Sequence, residues 1–340
     1  MTTIAMLHYR KNPEKVKKAF ACAAVAKAEG IDFYYFTPGM VDFKQNIVYG
    51  KVYQKGTWVS KELPFPDVIY NAGPPLTEKQ KKIHSRLRKT IPFLSNPVGS
   101  KLSVFYKIKK SNQFTEYLIP YKKVSSPNTV IDYLEEYGKV VVKPVTGHQG
   151  EGIHFIQKIE KNYLFDNQKQ QEEISKQELE QRINDLLQKN KWIVQKYITS
   201  FTKAGMPFDI RLHVQKNSEG KWSIMVIYPR VSLGKSIASN LRKGARMSFF
   251  DDFLEQEYGD RALNMKKYIE VFALQFSDFF ESLYPYSFDE LGIDIGLDEE
   301  GKIWLYEVNW RPGTVSFEMD VARNIIGYGM FVAKTDKERK

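Results

Sequence analysis

An α/β (α+β) chain built from more than one layered unit is what this sequence predicts, and three observations predict it. Strand and helix signals alternate through residues 1–100. Beyond them, valine- and isoleucine-rich strand patterns are separated by long amphipathic helices. A chain of 340 residues with 42% hydrophobic and 14% aromatic content can fill two or three cores of ordinary size, which excludes a disordered chain.

In order, TIAMLHY reads as a strand and PEKVKKAFACAAVAKAEG as a helix, with Pro13 in its first turn and Gly30 just past its end. IDFYYF is a second strand. NIVYGKVYQKGTWVS is β-rich around the turn residues Gly50 and Gly56. PDVIYN reads as a strand, TEKQKKIHSRLRKT as a helix opened by a Thr77/Gln80 capping box, and PFLSN as a further strand. This rhythm predicts an N-terminal α/β domain over 1–100, a small sheet with helices against it.

A second unit, 101–198, begins with a helix in SKLSVFYKIKKS. It continues through the loop LIPYKKVSSPNT and the helix VIDYLEEYG to the strand KVVVKP. The polar segment 160–190 is expected to be one amphipathic helix, carrying Ile174, Leu179, Ile183, Leu186 and Leu187 behind a Ser175/Glu178 capping box. The strand WIVQKYI closes the unit. The third unit, 199–333, holds the strands FDIRLHVQK and KWSIMVIYPRVS, a long helix around NMKKYIEVFALQFSDFFESL, an acidic hairpin and a terminal helix. The basic tail KTDKERK, 334–340, is expected to fray.

The balance of 51 Lys+Arg against 40 Asp+Glu gives a net charge of +11, which favours anionic partners such as nucleotide phosphates, nucleic acid or an acidic polymer. The single cysteine, Cys22, lies inside an apolar helix pattern and reads as a small core residue in a reducing compartment. No apolar run approaches about 18 residues, and the N-terminus lacks a charged region before its short apolar stretch. A cytoplasmic protein without a membrane segment, or one packed into a larger structure from the cytosol, is the expectation.

The chemistry concentrates in GIDIGLDEEGKIWLYEVNWRPG. Side chains alternate along a strand, so Glu307 and Asn309 share a face while Val308 and Leu305 go into packing. Asp294 interrupts the preceding apolar strand, and DEEG is a hairpin turn signal. The hairpin gathers three hard oxygen donors of the kind that magnesium takes and shares with substrate phosphates. A salt-bridged or amide-capped strand end reads the same residues without a metal.

After KVVVKP comes VTGHQGEGIHFI, a strand-to-strand loop with Gly147, Gly150 and Gly152. It is neither a Walker loop nor a dinucleotide fingerprint, both of which lead into a helix. Its backbone N–H groups could close over phosphates, and a plain hairpin is the other reading. Lys143 ends the valine strand, either fixed beside that loop or snorkelling from an edge. Lys107 sits on a lysine-rich helix where Lys109 and Lys110 compete with it. Arg211 follows Asp209 by two, which allows an ion pair between them or recognition of an anion. The run RVSLGKSIASNLRKGAR, with Arg230, Lys235, Arg242, Lys243 and Arg246 around Ser239, Asn240 and Gly244, is either a phosphate clamp or a solvated basic loop. The five histidines have no ligand spacing, and His148 in the glycine loop either touches phosphate or is solvated. No serine-nucleophile elbow is present.

Together these elements resemble the ATP-grasp superfamily: a lysine strand before a glycine hairpin, a hinge strand, a D-I-R strand, a basic S-N-L-R-K-G-A segment, and an aspartate followed across a hairpin by E-x-N. The D-I-R, S-N-x-x-x-G and E-V-N-x-x-P-G elements resemble ribosomal-protein glutamate ligases. The segments Y-K-I-K-K-S-N, L-I-P and K-P-V-T-G-H-Q-G-E-G-I resemble YheC/YheD-type endospore coat-associated proteins. The catalytic resemblance covers about 101–330.

The resemblance implies an ATP-grasp fold with a pre-ATP-grasp domain at 1–100, a central subdomain with the glycine hairpin at 101–198, and a C-terminal subdomain with the metal site at 199–333. It implies that Lys107 and Lys143 hold the phosphates of ATP beneath a flap of Gly147, His148, Gln149, Gly150 and Gly152. By the same resemblance Gln195, Lys196, Tyr197 and Ile198 would form the adenine hinge, although many relatives have an acidic residue where this chain has Lys196. Asp294, Glu307 and Asn309 would hold Mg2+ or Mn2+, and Arg211 and Arg242 would face the transferring phosphoryl group, with Asn240 assisting. The implied activity is an ATP- and magnesium-dependent carboxylate ligase acting through an acyl phosphate on an unidentified acid and amine acceptor, in sporulating cells and with spore coat components as partners. Two other readings stand beside it: a nucleotide-binding structural protein of the spore without turnover, and a basic binder of nucleic acid or acidic polymer, which steep salt dependence would reveal.

Overall fold

The computed structural model describes residues 2–145, 152–232, 245–313 and 317–339. Gly147, His148, Gln149, Gly150, Asn240 and Arg242 lie outside the described residues.

The N-terminal part runs β1 (Thr3–Leu7), α1 (Lys17–Ala28), β2 (Asp32–Phe36), β3 (Val41–Asp42), β4 (Ile47–Gln54), β5 (Thr57–Pro64), β6 (Val68–Asn71), α2 (Glu78–Leu87) and β7 (Phe93–Leu94). Its strands form one sheet in the order β3-β4-β2-β1-β6-β7, with β5 paired to β4. The buried strands β1 and β6 are parallel, as crossover connections through helices require. Helix α1 presents Ala19, Cys22, Ala23 and Ala26 to the core, and these small side chains let it lie close to its neighbours.

The middle part contains α3 (Lys101–Ser111), β8 (Tyr121–Val124), α4 (Pro127–Tyr137), β9 (Lys139–Pro144), β10 (His154–Ile159), β11 (Asn162–Asp166), β12 (Gln171–Ile174), α5 (Lys176–Lys189) and β13 (Trp192–Lys196). Its sheet has the order β12-β11-β10-β9-β13-β8. The Ser175/Glu178 capping box opens α5, and Leu179 and Ile183 are buried beneath it. The polar stretch before that cap, expected to be helical, instead forms β11 and β12. There alternation buries Tyr163 and Phe165 on one face, a period of two rather than 3.6.

The last part comprises β14 (Phe208–Lys216), β15 (Trp222–Ser232), β16 (Ala245–Met247), α6 (Phe250–Tyr258), α7 (Ala262–Ser282), β17 (Glu290–Leu297), β18 (Ile303–Asn309) and α8 (Glu318–Arg339). Its antiparallel sheet has the order β16-β15-β14-β17-β18, with the phenylalanines of α7 packed on one face. Helix α8 leaves this unit and packs on the N-terminal sheet. Val321, Ala322, Ile325 and Ile326 join the core of Ile4, Met6 and Tyr70, each buried isoleucine contributing about 1.5–3 kcal/mol. Gly329 makes the approach possible, since a Cβ there would stand 2.7 Å from Ile4 Cδ1. The segment expected as a frayed tail continues α8 through Arg339, and Lys337 pairs with Asp67 at 2.9 Å. No helix among the described residues is long and apolar enough to cross a membrane.

Candidate functional site

Strands β14, β17 and β18 place Arg211 opposite Asp294, Asp294 opposite Glu307, and Gly292 opposite Asn309. The register shifts between Asp294 and Ile295, so that Ile295 pairs with Leu305 and Tyr306 is the extra residue of a bulge. Strict alternation would put Leu305 on the face of Glu307. The bulge instead sends Leu305 into the core while Glu307 stays beside Asp294, a common way of re-aiming a side chain at a site.

Asp294 is buried and lies between two guanidinium groups. Arg211 Nε and Nη2 both donate to its carboxylate, the second at 2.9 Å, and Arg230 Nη2 donates to Oδ1 at 3.0 Å. Burial alone would push the Asp294 carboxyl up, but Arg211 and Arg230 outweigh it and hold it below the usual carboxylate range. Arg230 also grips Asp209 through Nε and Nη2 at 2.5 and 2.6 Å, because the two residues are opposite each other on β14 and β15. The partner of Arg211 is therefore Asp294 on β17, and Asp209 is taken by Arg230. Arg230 belongs to a strand, not to the basic loop that composition suggested. Removing one member of such a buried set leaves an uncompensated charge, a loss of about 3–5 kcal/mol.

Lys143 on β9 is buried, with Nζ 5.7 Å from the centre of the Phe105 ring. Burial and nearby Lys101 lower its ammonium to about 8, with Glu307 acting in the opposite direction. Lys101 Nζ stands 3.5 Å from Glu307 Oε1. Lys101, Lys143 and Glu307 thus come together from α3, β9 and β18. Lys107 does not join them: its Nζ donates to the Leu283 carbonyl at 3.1 Å and lies over the Tyr284 ring. Six residues along a helix turn a side chain onto a different face, so Lys101, in the first turn behind the Ser100 cap, is the α3 lysine beside Glu307.

At the end of β13, Gln195 is buried and its Nε2 has no hydrogen-bond partner among the described residues. Lys196 N–H donates to Pro120 O and Tyr197 N–H to Lys139 O, each at 3.0 Å. Ile198 packs with Ile119 and Trp304, with Tyr306 at the edge of that cluster. Lys196 Nζ lies 5.7 Å from the Trp304 ring centre and 5.8 Å from that of Tyr137. Gly152 has φ +72, a conformation that side-chain-bearing residues rarely adopt, and it lies near Pro144 and Trp192.

The donor set suits a hard divalent cation. Asn309 Nδ2 is 3.5 Å from Asp294 Oδ2, which leaves the carboxamide oxygen as the end for a metal. The Glu307 side chain is 34% exposed against 10% for Asp294, so Glu307 is the accessible carboxylate and Asp294 the negative charge behind it. With the Asp294 oxygens held by arginines, Glu307 and Asn309 are the open donors, and they leave most of an octahedron to water and phosphate, as magnesium sites shared with phosphates do. Among the described residues no group of three or more His, Cys, Asp or Glu side chains gathers as a metal site.

The endospore coat-associated protein YheD of Bacillus subtilis (strain 168) is 23% identical to this chain, over 90% of this chain and 70% of its own length. D-alanyl-alanine synthetase A from Vibrio cholerae superposes with a TM-score of 0.53 at 16% identity, covering 98% of each chain. The ATP-grasp ligase PsnB, in a complex with a phosphomimetic variant of its minimal precursor, Mg and ADP, does so with a TM-score of 0.53 at 12% identity, covering 98% of this chain and 99% of its own. The structural likenesses show the ATP-grasp fold. The pattern of the YheC/D like ATP-grasp family matches residues 90–328, and the chain belongs to that family.

Proposed function

We propose that this chain is an ATP- and magnesium-dependent carboxylate ligase that works through an acyl phosphate, with an amine or similar nucleophile as acceptor. The observation that carries the proposal is the meeting of Lys101, Lys143 and Glu307 beside Asp294 and Asn309. Two ammonium groups and an accessible carboxylate brought together from separate elements are what a triphosphate with a bound cation requires. In this reading Lys101 and Lys143 hold phosphate oxygens. Gln195 to Ile198 receive adenine, where the unmet Gln195 Nε2 offers a donor. Bound at Glu307, Asn309 and Asp294, magnesium would neutralise charge on the β and γ phosphates of ATP. Arg211 and Arg230 sit behind Asp294, and from there their positive charge would act on the transferring phosphoryl group. Gly147, His148, Gln149, Gly150, Asn240 and Arg242 take the flap and phosphoryl-facing roles that the family resemblance implies. The name of the Bacillus relative supports a place in the spore coat.

The test is thermal unfolding with ATP, with and without magnesium, followed by a screen for ADP release over amino acids, peptides and polyamines. Nucleotide at about 100 times its dissociation constant stabilises by roughly 2.7 kcal/mol. A magnesium-dependent shift with acceptor-dependent ADP release is expected. Absence of any shift would overturn the proposal, and a shift without release for any acid would favour a non-catalytic nucleotide binder.

A further inference from the structure

Between the N-terminal sheet and the turn that follows β18 lies a cavity of about 400 Å3. Its lining includes Arg88 and Lys81 from α2 and its C-terminal edge, and Trp310 and Arg311 from the turn, with no carboxylate among the lining residues. Arg311 lies against the ring of Trp310, with Cζ 3.6 Å from its centroid. Its Nε and Nη2 are buried and have no hydrogen-bond partner among the described residues. The same Nε/Nη2 edge grips a carboxylate in Arg211 and again in Arg230. In Arg311 that fork has no partner among the described residues. Two parallel N–H donors on one guanidinium edge match the two oxygens of a carboxylate or phosphate group.

Arg88 sits at the same cavity, with Nη1 bonded to Asn96 Oδ1 at 2.5 Å and its guanidinium over the Phe93 ring. Among the described residues no carboxylate lies within 4 Å of Arg88 or Arg311. Two partly buried guanidinium groups without a counterion are unfavourable unless an anion joins them. An arginine guanidinium is a cation at neutral pH. The turn is also firmly placed, since Pro312 lies 2.7 Å from where a Cβ on Gly292 would stand, and Gly292 is the partner of Asn309. Arg311 follows Asn309 by two residues, so one wall of the cavity is continuous in chain with the strand that carries Glu307 and Asn309.

We propose that this cavity binds an anionic group, a carboxylate or phosphate, of the ligase's small-molecule substrate, on the fork of Arg311 with Arg88 beside it. The substrate then carries a negative charge in addition to the carboxylate that is activated. The placement on a substrate rests on the ligase reading, whereas the anion site itself does not.

The experiment is calorimetric titration of the full chain, without nucleotide, with glutarate, with inorganic phosphate and with uncharged glutaramide. It is repeated on Arg311→Gln and Arg88→Gln, with ATP binding measured for each protein as a check of folding. Glutarate or phosphate is expected to bind, glutaramide is not, and each variant weakens the anion by about tenfold or more while ATP affinity is kept. Stronger binding of glutarate identifies a carboxylate, and stronger binding of phosphate a phosphate ester. Failure of both anions to bind the unmodified chain, or binding by both variants as tight as that of the unmodified chain, overturns the proposal. Anion binding that persists in a protein unable to bind ATP supports the anion site and removes the ligase reading, so the two failures are separable.

Discussion

Lys101 Nζ stands 3.5 Å from Glu307 Oε1, a cation in the first turn of α3 held against the carboxylate of β18. A helix N-terminus disfavours positive charge by about 0.3–1 kcal/mol, so the helix itself gives no reason for a lysine there. Phosphate binding gives one. Lys101→Met should lower ATP affinity by about tenfold or more, the value of a charge-assisted contact. Lys107→Met should leave it unchanged, since Lys107 is bonded to Leu283 O. Titration of both variants with ATP checks this, and the reverse order would restore Lys107 to the site.

Glu307→Gln keeps the size of the side chain and removes its charge. The accessible carboxylate beside Asn309 is then lost to the cation while Asp294 stays buried with its arginines. ADP release should fall by about 10²–10³, the range seen when one transition-state stabiliser is removed. Normal product formation by this variant would rule out the cation site.

The hairpin of Asp294 and Glu307 is legible in sequence because apolar strands interrupted by acids leave few placements for those acids. The bulge at Tyr306 is not. Leu305 was expected in packing, yet plain alternation puts it, two residues from Glu307, on the face of Glu307, and only the bulge reconciles the two. The choice between Lys101 and Lys107 was hidden for a related reason: lysine density marks a helix without saying which face meets a neighbour. Its available signal was the position just after the Ser100 cap. Arg230 looked like part of a loop, and its bonds to Asp209 and Asp294 come from strand register, which is a tertiary property. The docking of α8 on the N-terminal sheet joins residues far apart in the chain, so no local pattern announces it. Arg311 went unnoticed because one arginine beside a tryptophan has no periodicity to read.

Lys143 gives the site a pH dependence. Its folded value of about 8 lies below the ordinary 10.5, so the charged form is penalised in the fold. That penalty is full below about pH 8 and disappears as pH rises from about 8 to about 10.5, which means this group's contribution to stability grows with pH. Nucleotide phosphates act the other way, since they favour the ammonium. ATP affinity should therefore fall by about tenfold per pH unit above pH 8. Lys143→Arg, which stays charged, should flatten that dependence. Equal slopes in the two proteins would remove Lys143 from the phosphate site.

Asp289 is fully buried, and its carboxylate accepts from Ser95 N–H and Ser95 Oγ, each at 2.7 Å. Burial, then the neighbouring Glu290, pushes its carboxyl up to about 7 against the effect of Ser95. A folded value above the unfolded 3.8 means that the contribution is full below about pH 4 and is lost as pH rises through about 7. Asp289→Asn can keep both Ser95 bonds, with the carboxamide oxygen accepting and its nitrogen donating. The stability of the unmodified chain should decline relative to this variant between about pH 4 and pH 7 and level off above that, read as urea midpoints. Parallel midpoints across that range would show that Asp289 is ionised throughout.

Tyr306 tests whether the bulge also serves the hinge. A Cβ added at Gly296 would stand 2.1 Å from Tyr306 Oη, so the ring lies over the bare backbone of β17. The same ring borders Ile198, Ile119 and Trp304 at the end of the hinge strand. Gly296→Ala must therefore displace Tyr306, and the displaced ring has the hinge cluster beside it. Overpacking of this kind costs about 1–3 kcal/mol. ATP affinity should fall together with stability if adenine uses that cluster. Truncating Tyr306 to Ala in the Gly296→Ala background removes the clash, so the two substitutions should be strongly non-additive in urea unfolding. Additive losses would mean that the strand absorbs the methyl group without moving the ring. A stability loss with unchanged ATP affinity would place adenine elsewhere.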